Sequence, residues 1–132
     1  MTRMQNNDNH QPTGVEEAIE YANNNRGRHL EELKELLRIK SISTLDQNRS
    51  DIEEAARWLA NKLAAIGMDN VEIVPTKGHP LVYGEWLGHG DEVPTILLYG
   101  HYDVQPVDPL NLWDRPPFEP EVIGDYLYAR GA

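Results

Sequence analysis

The stretch ILLYGHYDVQPVDP, residues 96–109, carries the most informative pattern in the sequence. It begins with a nearly continuous apolar run, passes through His101 and Asp103, and then reaches two prolines. Such a run is typical of a central strand that is covered on both faces, and it predicts a strand over residues 95–100. Proline has no amide hydrogen to donate to a neighbouring strand, so the strand must stop soon after Asp103. We therefore expect a buried strand whose carboxyl end opens into a cleft.

Two helical patterns precede this stretch. Thr13 and Glu16 have the spacing of a capping box, and apolar residues follow at helical spacing as far as Ile39. Residues 23–27, NNNRG, are a poor helix interior, so the helix is either kinked there or begins only near Arg28. In the second pattern, a capping box of Ser50 and Glu53 opens a helix over residues 51–66, and Gly67 ends it.

Strand patterns occupy most of the remaining chain. Residues 71–75 and 81–87 are expected to form strands, and residues 121–130 a hairpin that turns at Gly124 and Asp125. Helices that precede and flank such strands predict an α/β fold, a mixed sheet layered by helices. The sequence ends just after the last strand, at Ala132, so we expect this sheet to be incomplete, with strand edges and apolar surface left exposed for self-association.

Composition excludes several function classes. The 132 residues include 12 Lys and Arg against 22 Asp and Glu, a net charge of −10, which disfavours nucleic acid and anionic membranes as partners. There is no cysteine, so any metal must be held by His, Asp or Glu. Residues 1–12 are polar and are expected to be a disordered leader. Because no secretory signal or long apolar run is found, the cytoplasm is the expected location.

His101 and Asp103 are the residues that suggest chemistry. Ligands of open α/β sheets collect at the carboxyl ends of strands, and alternation along an extended backbone places these two side chains on one side, with Tyr102 on the other. A metal-binding imidazole usually donates its second N–H to a carboxylate, which His-x-Asp can supply, although the spacing leaves open whether Asp103 reaches this neighbour. By spacing alone, a hydrogen-bonded structural histidine is the commoner arrangement.

The segment LLYGHYDVQPVDPLNLWDRPPFEPEVIGDYLYARGA resembles the first metal-site segment of a dinuclear zinc amidohydrolase family. That family contains carnosine-type dipeptidases, aminoacylase, acetylornithine deacetylase and succinyl-diaminopimelate desuccinylase. The segments LLRIKSIS at 36–43 and GHPLVYGEW at 78–86 give this resemblance softer support, and YGHYDVQPVDP and YARGA are most similar to the dipeptidase branch. The residues that carry the resemblance are Gly100, His101, Asp103, Val104, Pro106, Val107, Trp113, Pro117, Phe118, Pro120, Leu127, Tyr128, Arg130, Gly131 and Ala132.

The resemblance implies that His101 is the first zinc ligand and that Asp103 is the catalytic-site acid that orients it. It implies two zinc ions per active site, with cobalt or manganese as substitutes, a dipeptide or N-acyl amino acid substrate, and a homodimer. Metal-activated water would cleave a peptide or amide C–N bond while a glutamate moves its proton. Residues 13–132 would be the N-terminal portion of the catalytic domain, and the remaining ligands, the glutamate and the lid domain would follow Ala132.

The chain by itself is therefore expected to be inactive, since one imidazole does not make a zinc site. Two alternatives remain open: an N-acyl amino acid deacylase of the same family, and a degenerate or truncated binding module without catalysis. Elsewhere, His79 and His89 are expected to be exposed loop residues. Trp113 and Phe118 are expected to anchor the proline-rich loop.

Overall fold

A computed structural model describes residues 13–88, 90 and 92–132. The expected leader, residues 1–12, and His89 lie outside the described residues. The chain divides into two units between Leu33 and Lys34. Within the described part of the chain, every helix is too short or too polar to cross a bilayer.

Helices occupy the described part of the first unit, and the second helix extends past its boundary to Arg38. Helix α1, Gly14–Asn24, begins with the predicted capping box: the Glu16 amide donates to Thr13 Oγ1 at 3.4 Å, and the Thr13 amide donates to Glu16 Oε2 at 2.7 Å. Helix α2, Arg26–Arg38, follows after Asn25 alone, so the chain is helical on both sides of a break inside residues 23–27, and the alternative that the helix begins only near Arg28 is wrong. The asparagine run favours a break there, because asparagine competes with the helix for backbone hydrogen bonds.

In the second unit, helix α3, Arg49–Ala65, packs against a hairpin of β1, Asp69–Val74, and β2, Leu81–Glu85. The fully buried Ile52, Ala55 and Ala56 of α3 form the core with Leu37 and Ile42. Gly67 ends α3 as predicted. Its φ of 85° lets its amide reach the carbonyl of Ala64 at 3.0 Å and the Met68 amide reach that of Leu63 at 3.1 Å, a Schellman motif.

The predicted start of α3 is wrong. The helix begins at Arg49, not after a Ser50 cap, because a short 3-10 helix at Asp46–Asn48 leads directly into it. Asn48 occupies the N-cap position, and its side-chain amide donates to the Lys40 carbonyl at 3.2 Å and to Asp51 Oδ2 at 2.6 Å. The entry into α3 is thus held by Asn48 contacts that lie outside the predicted capping box.

The other hairpin has the predicted position. Strands β3, Glu121–Ile123, and β4, Tyr126–Tyr128, pair antiparallel on either side of Gly124 and Asp125. Together with β1 and β2 they give two small two-stranded sheets among helices, an α/β arrangement as expected.

The prediction of a buried central strand over residues 95–100 is wrong for this chain. These residues have no regular secondary structure, and the side chains of Ile96, Leu97, Leu98 and Tyr99 are between 81% and 89% exposed. A strand forms only when a partner accepts and donates its backbone hydrogen bonds, and within the described ranges no strand pairs with this segment. The apolar pattern is present, but nothing in these ranges covers it.

We expect this exposed run to drive self-association. Replacing both Leu97 and Leu98 with lysine should lower the association constant at least about tenfold, since charge on an open strand edge opposes pairing between chains. Sedimentation velocity over a range of concentrations measures this effect. Leu112→Lys is the matched control, because Leu112 is 75% exposed but lies outside the run. A wild-type chain that sediments as a monomer at every concentration would contradict the prediction.

Candidate metal centre

Two segments without regular secondary structure, joined by one β-bridge, build the region around His101. Residues 41–43 follow α2, and residues 101–104 follow the exposed apolar run. Ile42 and Val104 form a parallel β-bridge, and the Val104 amide donates to the Ser41 carbonyl at 2.9 Å. The Ser41 hydroxyl in turn donates to the Tyr102 carbonyl at 2.9 Å. These contacts hold the backbone on both sides of Asp103 in a defined position.

The side chains of His101 and Asp103 lie on one side of the backbone, as the alternation predicts. His101 Nδ1 is 3.2 Å from Asp103 Oδ1 and 3.1 Å from the Asp103 carbonyl oxygen. The sequence left open whether the Asp103 carboxylate contacts His101, and in the structure it does. Tyr102 points elsewhere, and its hydroxyl donates to the Pro80 carbonyl at 2.6 Å.

These contacts determine the tautomer of His101. A backbone carbonyl and an ionised carboxylate can only accept hydrogen bonds, so the Nδ1 atom must carry the proton. The lone pair of the neutral ring is then on Nε2, and the His101 side chain is 77% exposed. An exposed imidazole with a carboxylate behind it is the arrangement that metal-binding histidines adopt.

A second contact fixes the carboxylate. The Ser43 hydroxyl donates to Asp103 Oδ2 at 2.5 Å. This hydrogen bond, together with smaller contributions from the Asp103 backbone amide and His101, lowers the pKa of Asp103 against the opposing effect of its partial burial. Asp103 is therefore an anion at neutral pH. Burial of the Tyr102 hydroxyl, together with this negative charge, raises the pKa of Tyr102.

The lowered pKa predicts how Asp103 contributes to stability. A group whose pKa is lower in the folded state stabilises the fold above its ordinary value, and this contribution is lost as the pH falls through the folded pKa. Asp103→Asn should therefore lower the melting temperature at neutral pH, and the gap between the two proteins should close below about pH 3.9, the ordinary value for aspartate. Thermal unfolding of both chains across this range measures it. A difference in melting temperature that stays constant with pH would contradict the lowered pKa of Asp103.

His79 and Ser43 contribute more than the sequence predicts. His79 is half-buried instead of being an exposed loop residue, because its Nε2 lies 2.8 Å from the Ser43 carbonyl oxygen. Ser43 was not predicted to take part in the site. No local pattern in the sequence identifies it, because Ser43 lies in a turn and its partner Asp103 is 60 residues away.

The proline-rich loop is anchored beside the site, as predicted for Trp113. The Trp113 indole donates to the Val107 carbonyl at 2.8 Å, and the Arg130 guanidinium lies 4.8 Å from the Trp113 ring centroid. Arg130 also donates through Nη2 to the Pro106 carbonyl at 2.9 Å. Phe118 is half-buried. The loop thus carries its own network of contacts, which includes a residue from the end of the chain.

Gly131 packs where a side chain would not fit. Its φ is 90°, and a Cβ atom built there would lie 2.8 Å from Val104 Cγ1. We expect Gly131→Ala to destabilise the chain by about 3 kcal/mol, the sum of a left-handed backbone penalty and an overpacking penalty. Gly124→Ala is the control, because Gly124 has a φ of 60° with nothing within 4 Å, and it should cost about 1 kcal/mol. Urea unfolding measures both, and equal losses would contradict the close approach to Val104.

The donor set fits one ligand position of a zinc ion. His101 offers Nε2, and Asp103 supplies the outer carboxylate that orients the ring. Among residues 13–88, 90 and 92–132, no three His, Asp or Glu side chains come close enough to hold a metal ion together. Zinc sites in proteins use three or four protein ligands. The described residues therefore fit a part of a zinc site and do not complete one.

Comparison with known proteins gives relatives along most of the chain. It is 35% identical over 108 residues to cysteinylglycine-S-conjugate dipeptidase of Corynebacterium striatum, which covers 82% of this chain and 24% of the relative. It is 34% identical over 99 residues to succinyl-diaminopimelate desuccinylase of Shewanella pealeana, covering 75% and 23%. No protein-family model matches the chain.

A solved structure shares the fold. The di-peptidase Dug1p from Saccharomyces cerevisiae superposes with a TM-score of 0.74 at 22% identity, covering 85% of this chain and 26% of that one. The chain thus spans about a quarter of the length of the relatives it matches. These sequence matches make the chain a homologue of one segment of these dipeptidase and desuccinylase hydrolases, and the shared fold agrees with them.

Proposed function

We propose that this chain supplies His101 as a zinc ligand, and Asp103 as its orienting carboxylate, to a hydrolase that cleaves a peptide or amide C–N bond. The observation that carries the proposal is the contact of His101 Nδ1 with two groups that can only accept hydrogen bonds. It leaves Nε2 as the one ring nitrogen with a free lone pair, on an exposed side chain.

Zinc, when bound, would polarise the substrate carbonyl and lower the pKa of a water molecule. The residues of this chain do the positioning. Asp103 keeps the Nδ1 proton in place, which raises the basicity of the opposite nitrogen and limits rotation of the ring. The hydrogen bond from Ser41 to Tyr102 and the bridge between Ile42 and Val104 hold the backbone that carries His101 and Asp103.

A dipeptide is the substrate class we propose, with reference to the relative named for cysteinylglycine S-conjugates. The relative named as a desuccinylase matches with nearly the same identity, and it supports an N-acyl amino acid as the second candidate. Both classes present the same C–N bond to a zinc centre. Two zinc ions per site, a homodimer and a cytoplasmic location are further proposals that rest on the family resemblance.

Two assays test the proposal. The first is hydrolysis of a cysteinylglycine S-conjugate by the 132-residue chain in the presence of zinc, where we expect no rate above a zinc-only blank. The second uses a chimera in which this chain replaces the 108 matching residues of the Corynebacterium striatum dipeptidase. We expect the chimera to hydrolyse the same substrate.

The alternatives predict different results. A binding module without catalysis would give a chimera that folds, by circular dichroism and size, but has no activity. Activity of the 132-residue chain alone would contradict the proposal that it supplies only part of a zinc site.

A further inference from the structure

We propose that Ser43 is a positioning residue for His101, acting through the Asp103 carboxylate. This inference rests on the proposed function, in which His101 binds zinc through Nε2. Ser43 lies 60 residues before Asp103 in the sequence, yet its hydroxyl donates to Asp103 Oδ2 at 2.5 Å. The other oxygen, Oδ1, is the atom that lies 3.2 Å from His101 Nδ1. The three side chains therefore form a continuous line from Ser43 to the imidazole.

Asp103 needs such a contact because little else fixes its orientation. Rotation about the bond between Cβ and the carboxylate of aspartate is broad, without three sharp staggered minima. The side chain is 39% exposed, so packing alone does not limit this rotation. A donor on Oδ2 selects the rotation that turns Oδ1 toward the ring of His101. Without it, solvent competes for both oxygens.

Contacts at the Ser43 carbonyl and at the preceding residue hold the Ser43 backbone in place. Its carbonyl oxygen accepts a hydrogen bond from His79 Nε2 at 2.8 Å. Ile42, the residue before it, is buried and forms the bridge to Val104. A hydroxyl on this fixed backbone can restrict the carboxylate, since its own position does not depend on Asp103.

Ser41 offers a matched comparison within the same segment. It also donates its hydroxyl across to residues 101–104, but to the Tyr102 carbonyl instead of a side chain. Loss of either hydroxyl removes one hydrogen bond between the two segments. Only the loss of the Ser43 hydroxyl releases the carboxylate that faces His101.

The test is the tautomer of the neutral His101 ring in the 132-residue chain without metal, measured from long-range ¹H–¹⁵N NMR correlations. In the wild type we expect the proton on Nδ1. In Ser43→Ala the ratio of the Nδ1–H to the Nε2–H form should fall by about two- to fivefold, at most the factor for complete loss of one hydrogen bond, because the Asp103 carbonyl oxygen still accepts from Nδ1. Ser43→Thr keeps the hydroxyl and should keep the ratio, and Ser41→Ala should leave it unchanged.

An unchanged ratio in Ser43→Ala, or an equal fall in Ser41→Ala, would overturn the inference. If Ser43→Ala does not fold, Ser43→Cys keeps nearly the same volume with a weak donor, and the same fall is expected there. The readout uses neither metal nor substrate, so it is independent of the proposed function. The two proposals can fail separately. If Ser43→Ala changes the tautomer but the chimera binds zinc equally well without His101, the positioning role stands and the proposed function is rejected.

Discussion

Replacing His101 with alanine in the chimera is expected to lower kcat/KM for a cysteinylglycine S-conjugate by at least about 10³-fold. Loss of an outer partner of a metal ligand typically costs 10–100-fold, and loss of the ligand itself removes a bond to the metal as well. Steady-state kinetics at saturating zinc measures this change. The zinc content of the variant should fall in parallel, since the site would have one ligand fewer.

His29→Ala is the matched control for this experiment. His29 lies on the exposed part of α2, beside Tyr21 and Arg28, and no zinc role is proposed for it. Its removal should leave kcat/KM within about twofold, as is usual for a surface substitution. If His101→Ala and His29→Ala had the same small effect, His101 would not be a ligand.

Replacing Asp103 with asparagine is expected to weaken zinc binding by the chimera about 10–100-fold. The amide has nearly the shape of the carboxylate but no negative charge, so it accepts less strongly from His101 Nδ1 and does not stabilise charge on the ring. Competition with a chelator of known affinity measures the change. Asp108→Asn is the control, because Asp108 is exposed in the adjoining loop.

A different result would separate the two roles of Asp103. Wild-type zinc affinity in Asp103→Asn, with a lower melting temperature, would leave Asp103 a structural acid only. A weaker affinity in both Asp103→Asn and Asp108→Asn would indicate a general effect of charge near the site, which long-range attraction can produce.

The sequence predictions agree best with the structure for features that depend on neighbouring residues. The Thr13 capping box, the Gly67 helix end and the turn at Gly124 each depend on residues within a few positions of one another. The contact between His101 and Asp103 is local in the same way, because the two residues are two positions apart. Such features can be predicted from one sequence, since no distant segment has to be known.

The errors arise where contacts outside the local motif determine the structure. The start of α3 moved because Asn48 contacts Lys40 and a 3-10 helix precedes Arg49. Residues 95–100 have the apolar pattern of a buried strand, but burial requires partners that a pattern does not supply. The contact of Ser43 with Asp103 joins residues 60 positions apart, so no local pattern identifies its partner.

The central claim is that His101 binds zinc through Nε2 while Asp103 holds Nδ1. An experimental structure of the zinc-loaded chimera tests this claim most directly. We expect a zinc ion about 2.0–2.1 Å from His101 Nε2, the usual zinc to imidazole distance, with Nδ1 still in contact with Asp103. Zinc bound through Nδ1, or a zinc site that His101 does not enter, would contradict it.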